Sequence, residues 1–132
     1  MREVKYNDMK KLVLVVEDDE DNRDLVKFLI HRSRLDVELM MAENGKEAIQ
    51  HVRKKKPDLI LMDMQMPVMD SYTAVPIIKA ESEFGAIPII AFTAMANPED
   101  IKRSESIGCI EHCTKPIDPE QFMKLVQKYI QL

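Results

Sequence analysis

Long hydrophobic runs are missing from this sequence of 132 residues. No apolar stretch approaches the roughly 18 residues that a membrane-spanning helix requires. Residues 1–11 are mostly polar, and they lack the apolar core of a secretory signal peptide. We therefore expect a protein that is not exported and that has no membrane partner.

Cysteine is also scarce, because the chain has only Cys109 and Cys113. Two cysteines are too few for a disulfide framework. If both lay on one strand, their Cα atoms would be about 13 Å apart, beyond disulfide reach, although a turn between them would weaken this argument. We interpret both as reduced small hydrophobes, which indicates a cytoplasmic protein.

An excess of positive charge is missing as well, since the formal net charge is −4. Proteins that bind nucleic acid generally carry a basic face, so we expect no direct nucleic-acid partner. The basic run at residues 53–56 is interpreted as a solvated helix end favoured by the helix dipole, rather than as a phosphate-binding patch. The length fits one folded domain with its own core.

Short apolar runs alternate with helical patterns along the chain. The predicted strands cover residues 12–16, 37–41, 59–63, 87–92 and 111–114. The predicted helices cover about residues 21–34, 45–56, 70–83, 98–108 and 119–130, and their starts at Asn44, Asn97 and Asp118 carry capping residues. Five strand–helix units of this size predict a parallel sheet with right-handed crossovers and helices on both faces.

The third helical pattern contains Pro76. Proline inside a helix removes one hydrogen bond and clashes with the preceding turn. Two interpretations stay open: the helix begins near Val75, or it begins earlier and is kinked.

The third strand runs without polar interruption into the carboxylate of Asp63. A continuous apolar run of this kind predicts a strand that is covered on both faces. Glu17 and Asp18 follow the first strand, Thr93 ends the fourth, and Lys115 follows the fifth. Because the carboxyl ends of parallel strands meet at one edge, where such sheets bind ligands, we expect all five side chains around one cleft.

Three carboxylates in one cleft need a counter-charge. A close pair repels by about 4 kcal/mol at roughly 4 Å with an effective dielectric constant of about 20. A hard divalent cation removes this conflict, and Mg²⁺ prefers oxygen ligands of this kind. Asp63 then offers an oxygen nucleophile, and Thr93 and Lys115 offer a hydroxyl and an ammonium to a transferring phosphoryl group. A cis bond between Lys115 and Pro116, which proline permits, would aim the lysine into the cleft. Singly, these residues also fit ordinary cap, helix-start and surface positions; their joint placement favours a site.

The sequence resembles a two-component response-regulator receiver domain, of the chemotaxis stand-alone type or the hybrid-kinase type. Four pieces carry the resemblance in order and at the family's spacing: residues 15–19, 61–70, 90–94 and 114–117. We expect a polar N-terminal extension over residues 1–10 and a receiver domain over residues 11–132. The resemblance implies an α/β fold with a single doubly wound five-stranded parallel sheet of flavodoxin-like order 2-1-3-4-5 and five helices.

The resemblance also implies roles for individual residues. Asp63 would be the phosphoacceptor, supplied by a histidine kinase or a histidine phosphotransfer protein. Glu17, Asp18, the Asp63 side chain and the Gln65 carbonyl would hold Mg²⁺, with Asp18 as the more direct ligand.

Thr93 and Lys115 would bind the phosphoryl oxygens, and Thr93 would move inward on phosphorylation. That movement would shift the populations of two conformational states of a face that binds a downstream protein target. The chain would be no enzyme beyond the phosphorylation and dephosphorylation of Asp63 itself.

Three positions depart from the family pattern. His112 stands where a tyrosine or phenylalanine switch residue is usual, which predicts an altered or pH-sensitive switch, although a partly exposed histidine at the end of a strand fits equally. Ser71 stands where glycine is usual, which predicts a restricted loop. Gln65, Met95 and Ala94 would line the phosphoryl group, and apolar Met95 predicts slow hydrolysis because it cannot hydrogen-bond to an attacking water.

Two other functions fit parts of the pattern. A metal-dependent phosphatase with an aspartyl nucleophile would explain the acidic residues after the first strand, but it leaves the position of Asp63 unexplained. A receiver-like module that only binds would have no need of Asp63, Thr93 and Lys115 together.

Overall fold

The computed structural model describes residues 10–64, 70–94 and 97–130, in which strands and helices alternate as predicted. The strands are β1 (Lys11–Val16), β2 (Val37–Ala42), β3 (Leu59–Asp63), β4 (Ile89–Thr93) and β5 (Glu111–Thr114). The helices are α1 (Glu20–Ser33), α2 (Gly45–Lys54), α3 (Ser71–Ala80), α4 (Pro98–Ile107) and α5 (Pro119–Tyr129). The boundary expected between residues 10 and 11 stays a prediction, because residues 1–9 lie outside the described ranges.

The five strands form one parallel sheet in the order β2-β1-β3-β4-β5, which confirms the predicted fold. Every residue of β3 and β4 is buried, as are five of the six in β1. Their Leu, Ile, Val and Met side chains suit strands that are covered on both faces. The edge strand β2 is more exposed, so the most apolar runs in the sequence occupy the middle of the sheet.

Alternate residues of each central strand enter one of two hydrophobic clusters. Ile60 and Met62 of β3 pack with the helices α2 and α3, whereas Leu59 and Leu61 pack with α1 and α5. Phe122 of α5 illustrates the second cluster, since it is 1% exposed and its ring centroid is 5.9 Å from that of Phe92. The sheet is therefore packed between two helical layers, which position its carboxyl edge.

Helix α3 begins before Pro76, whereas the kink predicted for an earlier start stays a prediction. It begins at Ser71, with Asp70 accepting a hydrogen bond from the Thr73 amide at 2.9 Å, so a start near Val75 is wrong. Pro76 lies inside the helix on its exposed face, while Val75 and Ile78 are buried. Burial of that apolar face outweighs the loss of one helical hydrogen bond. The helix ends at Ala80, which is earlier than the predicted residue 83.

Other boundaries differ by a residue or two. Helix α1 begins at Glu20 and ends at Ser33, β2 extends to Ala42, and β4 begins at Ile89, so that Pro88 precedes the strand. The predicted caps at Asn44, Asn97 and Asp118 are confirmed, because each side chain accepts a backbone hydrogen bond from the first turn of its helix.

The two cysteines are buried and free. Cys109 belongs to the cluster with α2 and α3, and Cys113 belongs to the cluster on the opposite face. The basic run at the C-terminal end of α2 is exposed, with Arg53 and Lys55 in surface ion pairs at 2.6 and 2.7 Å, as expected for a solvated helix end. Within the described residues, no helix is long and apolar enough to span a bilayer.

Candidate functional site

The carboxyl edge of the sheet brings together polar residues that are distant in sequence. Val16 pairs with Met62, and Asp63 pairs with Phe92, so the ends of β1, β3 and β4 lie level with one another. Thr93 pairs with Thr114 at the end of β5. This register delivers the five predicted side chains to the same edge.

The acid cluster consists of Glu17, Asp18 and Asp63, each of which offers a carboxylate oxygen within 4.8 Å of the others. Glu17 is 4% exposed and Asp63 is 2% exposed, whereas Asp18 is open to solvent. Burying two carboxylates requires nearby compensation of their charge. The all-oxygen donor set, with one exposed member, fits a hard divalent cation that keeps several of its waters.

Lys115 supplies part of that compensation. Its ammonium Nζ lies 2.9 and 3.2 Å from the two oxygens of Glu17 and 3.1 Å from Asp63 Oδ2. Desolvation alone would lower the Lys115 pKa, but hydrogen bonding to Glu17 and the charge of Asp63 outweigh it, so the pKa is raised. The Lys115–Pro116 bond is cis, and the Lys115 amide donates to the Thr93 carbonyl at 2.9 Å.

Two residues that the sequence analysis did not identify hold Glu17 in place. Asn22 Nδ2 donates to Glu17 Oε1 at 2.5 Å, and Arg23 Nη1 donates to the Glu17 carbonyl at 2.9 Å. Both lie near the start of α1, directly after Glu20 and Asp21. A neutral amide and a guanidinium within an acidic helix start were the available signal.

Ser71 anchors the backbone of the expected phosphoacceptor. Its side chain is fully buried, and its hydroxyl donates to the Asp63 carbonyl. Ser71 is the first residue of α3, and among the described residues the only non-glycine with positive φ is Arg34. Ser71 itself does not have a positive φ. The predicted restriction of the preceding loop stays a prediction, because residues 65–69 lie outside the described residues.

Thr93 ends β4 and is buried, and the following residue, Ala94, is exposed. The Phe92 carbonyl accepts a hydrogen bond from the Met64 amide at 2.9 Å, which ties the segment after β3 to β4. Gln65 and Met95, the other two residues expected to line the phosphoryl group, lie outside the described residues.

His112 lies on β5, opposite Ala91 in the register, and its side chain is 25% exposed. Its Nδ1 atom is buried and has no hydrogen-bond partner among the described residues. Its Nε2 atom is 3.9 Å from Glu105 Oε1 on α4. The side chain thus lies between the site-bearing sheet and α4.

The sequence model of one protein family, the response regulator receiver domain, matches residues 13–127 of the chain. The chain belongs to this family. As a receiver domain, it is a signalling component of two-component and phosphorelay systems. This identification confirms the resemblance that the four sequence pieces carry.

Named relatives of this receiver come from several signalling systems. It is 37% identical to the polar-differentiation response regulator DivK of Brucella anthropi over 122 residues, which cover 92% of this chain and 98% of DivK. Among solved structures, the receiver domain of the sensor histidine kinase PA1611 of Pseudomonas aeruginosa has a TM-score of 0.82 at 27% identity, with 91% and 97% of the two chains covered. That structure has a magnesium ion coordinated in its active-site cleft.

A third similar structure is the receiver domain of the Saccharomyces cerevisiae response regulator Ssk1, solved with the histidine phosphotransfer protein Ypd1. Its TM-score is 0.83 at 26% identity, with 91% of this chain and 88% of the other covered.

Proposed function

We propose that this receiver accepts a phosphoryl group on Asp63 from a histidine kinase or a histidine phosphotransfer protein. The observation that carries the proposal is the contact of Lys115 with Asp63 at 3.1 Å, inside a cluster of three carboxylates at one sheet edge. An acceptor carboxylate needs a cation beside it to offset the charge of the incoming phosphoryl group.

The acid cluster would hold Mg²⁺ through Glu17, Asp18 and Asp63. The donor chemistry supports this assignment, and the PA1611 receiver has a magnesium ion in its cleft. When bound, the ion would neutralise charge on the carboxylates and on the phosphoryl oxygens. The Gln65 carbonyl, which lies outside the described residues, remains the expected further ligand.

The transfer uses this chain's own groups as follows. An oxygen of Asp63 attacks the phosphorus of a phosphohistidine, a P–O bond forms, and the P–N bond breaks with the electron pair returning to the imidazole. Lys115 stabilises the negative charge on the phosphoryl oxygens. The Thr93 hydroxyl donates a hydrogen bond to one of these oxygens.

Phosphorylation would then alter a protein-binding face. Thr93 adjoins the connection into α4, and His112 lies between the sheet and α4, so movement at the edge reaches that helix. The downstream target in this proposal is a protein. The phosphodonor assignment draws on the Ssk1 receiver, which was solved with a histidine phosphotransfer protein, and two free buried cysteines favour a reducing, cytoplasmic setting.

The residues that line the phosphoryl group set the lifetime of the aspartyl phosphate. Ala94 follows Thr93 and is exposed, and it offers no side-chain hydrogen bond to an attacking water. Together with the expected position of Met95, this predicts slow autodephosphorylation. A Met95→Glu variant should lose its phosphoryl group faster, and an unchanged rate would contradict the assignment.

The test is incubation with Mg²⁺ and acetyl phosphate, followed by intact mass measurement. We expect one added phosphoryl group on the wild type and none on Asp63→Asn, which keeps the shape of the side chain but loses the nucleophile. Asp24→Asn, at an exposed position of α1, is the matched control and should still be phosphorylated. Absence of any adduct would favour the binding-only module, and sustained turnover of a phosphate ester would favour the phosphatase.

A further inference from the structure

The Glu17 carboxylate is held from two sides by different kinds of donor. Its Oε1 atom accepts a hydrogen bond from Asn22 Nδ2 at 2.5 Å and another from Lys115 Nζ at 2.9 Å. Lys115 also reaches Oε2 at 3.2 Å. The buried Glu17 carboxylate thus accepts hydrogen bonds from two donors. One is the charged Lys115, which also contacts Asp63, and the other is the neutral Asn22 side chain.

The backbone of Glu17 is fixed by separate contacts. Arg23 donates to the Glu17 carbonyl at 2.9 Å, and its Nη2 atom is 3.3 Å from Glu43 Oε1. The Glu17 amide donates to the Ala42 carbonyl at 2.9 Å. Loss of the Asn22 side-chain amide would therefore change the surroundings of the Glu17 carboxylate, while these hydrogen bonds to the Glu17 backbone remain.

Asn22 is not needed to cap its helix. The cap of α1 is Asp19, whose side chain accepts a hydrogen bond from the Asp21 amide at 2.9 Å. The side-chain amide of Asn22 instead donates its hydrogen bond to Glu17 in the acid cluster, which indicates a role in that cluster.

We propose that Asn22 is a positioning residue that limits how tightly the acid cluster holds a divalent cation. Its N–H donor partly compensates the buried negative charge of Glu17 and occupies one side of Oε1. Without that donor, Glu17 is an under-compensated anion, which favours a bound cation more strongly. This inference rests on the proposed function, because it takes Mg²⁺ as the cation of the cluster.

The experiment compares Asn22→Ala and Asn22→Asp with the wild type. Isothermal titration with magnesium chloride should give a dissociation constant that is lower by roughly threefold to tenfold for Asn22→Ala, the factor that one net hydrogen bond represents. Asn22→Asp adds a carboxylate beside Glu17, and it should bind Mg²⁺ more tightly still. Both variants should unfold at lower urea concentration than the wild type in EDTA, and added Mg²⁺ should recover part of the difference.

The control is Asp24→Ala, at an exposed position of the same helix, which should change neither the affinity nor the unfolding midpoint appreciably. A purely structural role for Asn22 would lower the midpoint and leave the dissociation constant unchanged, and this result would overturn the inference while the proposed function stands. Weaker Mg²⁺ binding by Asn22→Ala would do the same. Failure of the wild type to bind Mg²⁺ would overturn both.

Folding of the alanine variant is not required for a decision. If Asn22→Ala does not fold in EDTA, Asn22→Ser, which keeps a shorter hydroxyl donor, carries the same titration and should also bind Mg²⁺ more tightly than the wild type. An affinity equal to or below that of the wild type would overturn the inference.

Discussion

At the carboxyl edge of the sheet, Lys115 reaches Glu17 at 2.9 Å and Asp63 at 3.1 Å, whereas between β5 and α4 His112 and Glu105 approach only to 3.9 Å. The first region is held by several charge-assisted hydrogen bonds, which are short and strong. In the second region, a buried ring nitrogen of His112 has no hydrogen-bond partner among the described residues.

This difference suits the two parts of a switch. A site that transfers a phosphoryl group gains from groups that are already in position. A face that must change on phosphorylation benefits when few contacts stabilise one conformation. A modest free energy can then shift the balance between its two conformations. We interpret the edge as preorganised and the contact between β5 and α4 as the more easily altered region.

The largest expected effect comes from Lys115→Ala. Removing the ammonium leaves the buried carboxylates of Glu17 and Asp63 without their shared cation, so the free energy of unfolding should fall by about 3 kcal/mol in EDTA. Urea unfolding measures the loss, and Mg²⁺ should restore part of it. The control Lys124→Ala removes an exposed ion pair with Glu120 and should change the free energy of unfolding little. Equal losses in both variants would contradict the idea that the carboxyl edge is specially stabilised.

The next effect is expected at Ser71. Its hydroxyl donates to the Asp63 carbonyl in the buried core, so Ser71→Ala should lower the free energy of unfolding by about 1–2 kcal/mol. Ser106→Ala is the matched control, because the Ser106 hydroxyl makes a similar bond to the Arg103 carbonyl on an exposed helix. Thermal or urea unfolding measures both, and a larger loss at Ser106 would show that the edge is not specially anchored.

A smaller effect tests the other region. Replacing His112 with phenylalanine removes an unsatisfied buried nitrogen, so the free energy of unfolding should stay within about 1 kcal/mol of the wild type or rise. A fall well beyond that would show that the contact between β5 and α4 is tighter than the distances indicate.

His112 also predicts a dependence on pH. Histidine as a residue type changes charge between about pH 5 and pH 8, and the carboxylates that face His112 are those of Glu105 on α4 and Glu111 on β5. Phosphorylation-induced NMR shifts on α4 should therefore differ between about pH 6 and pH 8 in the wild type and not in His112→Tyr. Equal shifts in both proteins at both pH values would count against this coupling.

The smallest effect concerns the opposite side of β5. Tyr129 donates to Glu111 Oε2 at 2.6 Å, and this bond is the largest cause of a lowered Glu111 pKa. A lowered carboxyl pKa adds stability above the unfolded-state pKa, and that stability is lost as pH falls through the folded-state pKa.

Tyr129→Phe should therefore reduce the free energy of unfolding by about 0.5–1 kcal/mol at neutral pH. The difference should shrink as acid protonates Glu111. Urea midpoints over a pH series measure it, with Glu111→Gln as the companion variant; a difference that grows toward acid pH would contradict the stated sign.

Much of the fold can be predicted from local sequence patterns, without knowledge of individual side-chain contacts. The uninterrupted apolar runs of β1 and β3 identify the central strands, and the rule that parallel strands end at one edge brings Asp63 and Lys115 together. Glu17 and Lys115 are 98 residues apart in sequence, yet this rule alone predicts their proximity.

Other features depend on side-chain directions that a sequence pattern does not contain. The hydrogen bonds of Asn22 and Ser71 to Glu17 and Asp63 arise only once α1 and α3 are packed on the sheet. Pro76 was ambiguous because a local hydrogen-bond loss had to be weighed against the burial of Val75 and Ile78. That balance is tertiary, so local propensity could not decide it.

The proposed function depends most on which side chain accepts the phosphoryl group. The most direct measurement is peptide mapping by mass spectrometry after the phosphorylated protein is trapped with borohydride, which reduces an acyl phosphate and marks its residue. We predict that the mark falls on Asp63. A mark on Glu17, on Asp18 or on any residue away from this edge of the sheet would contradict the account.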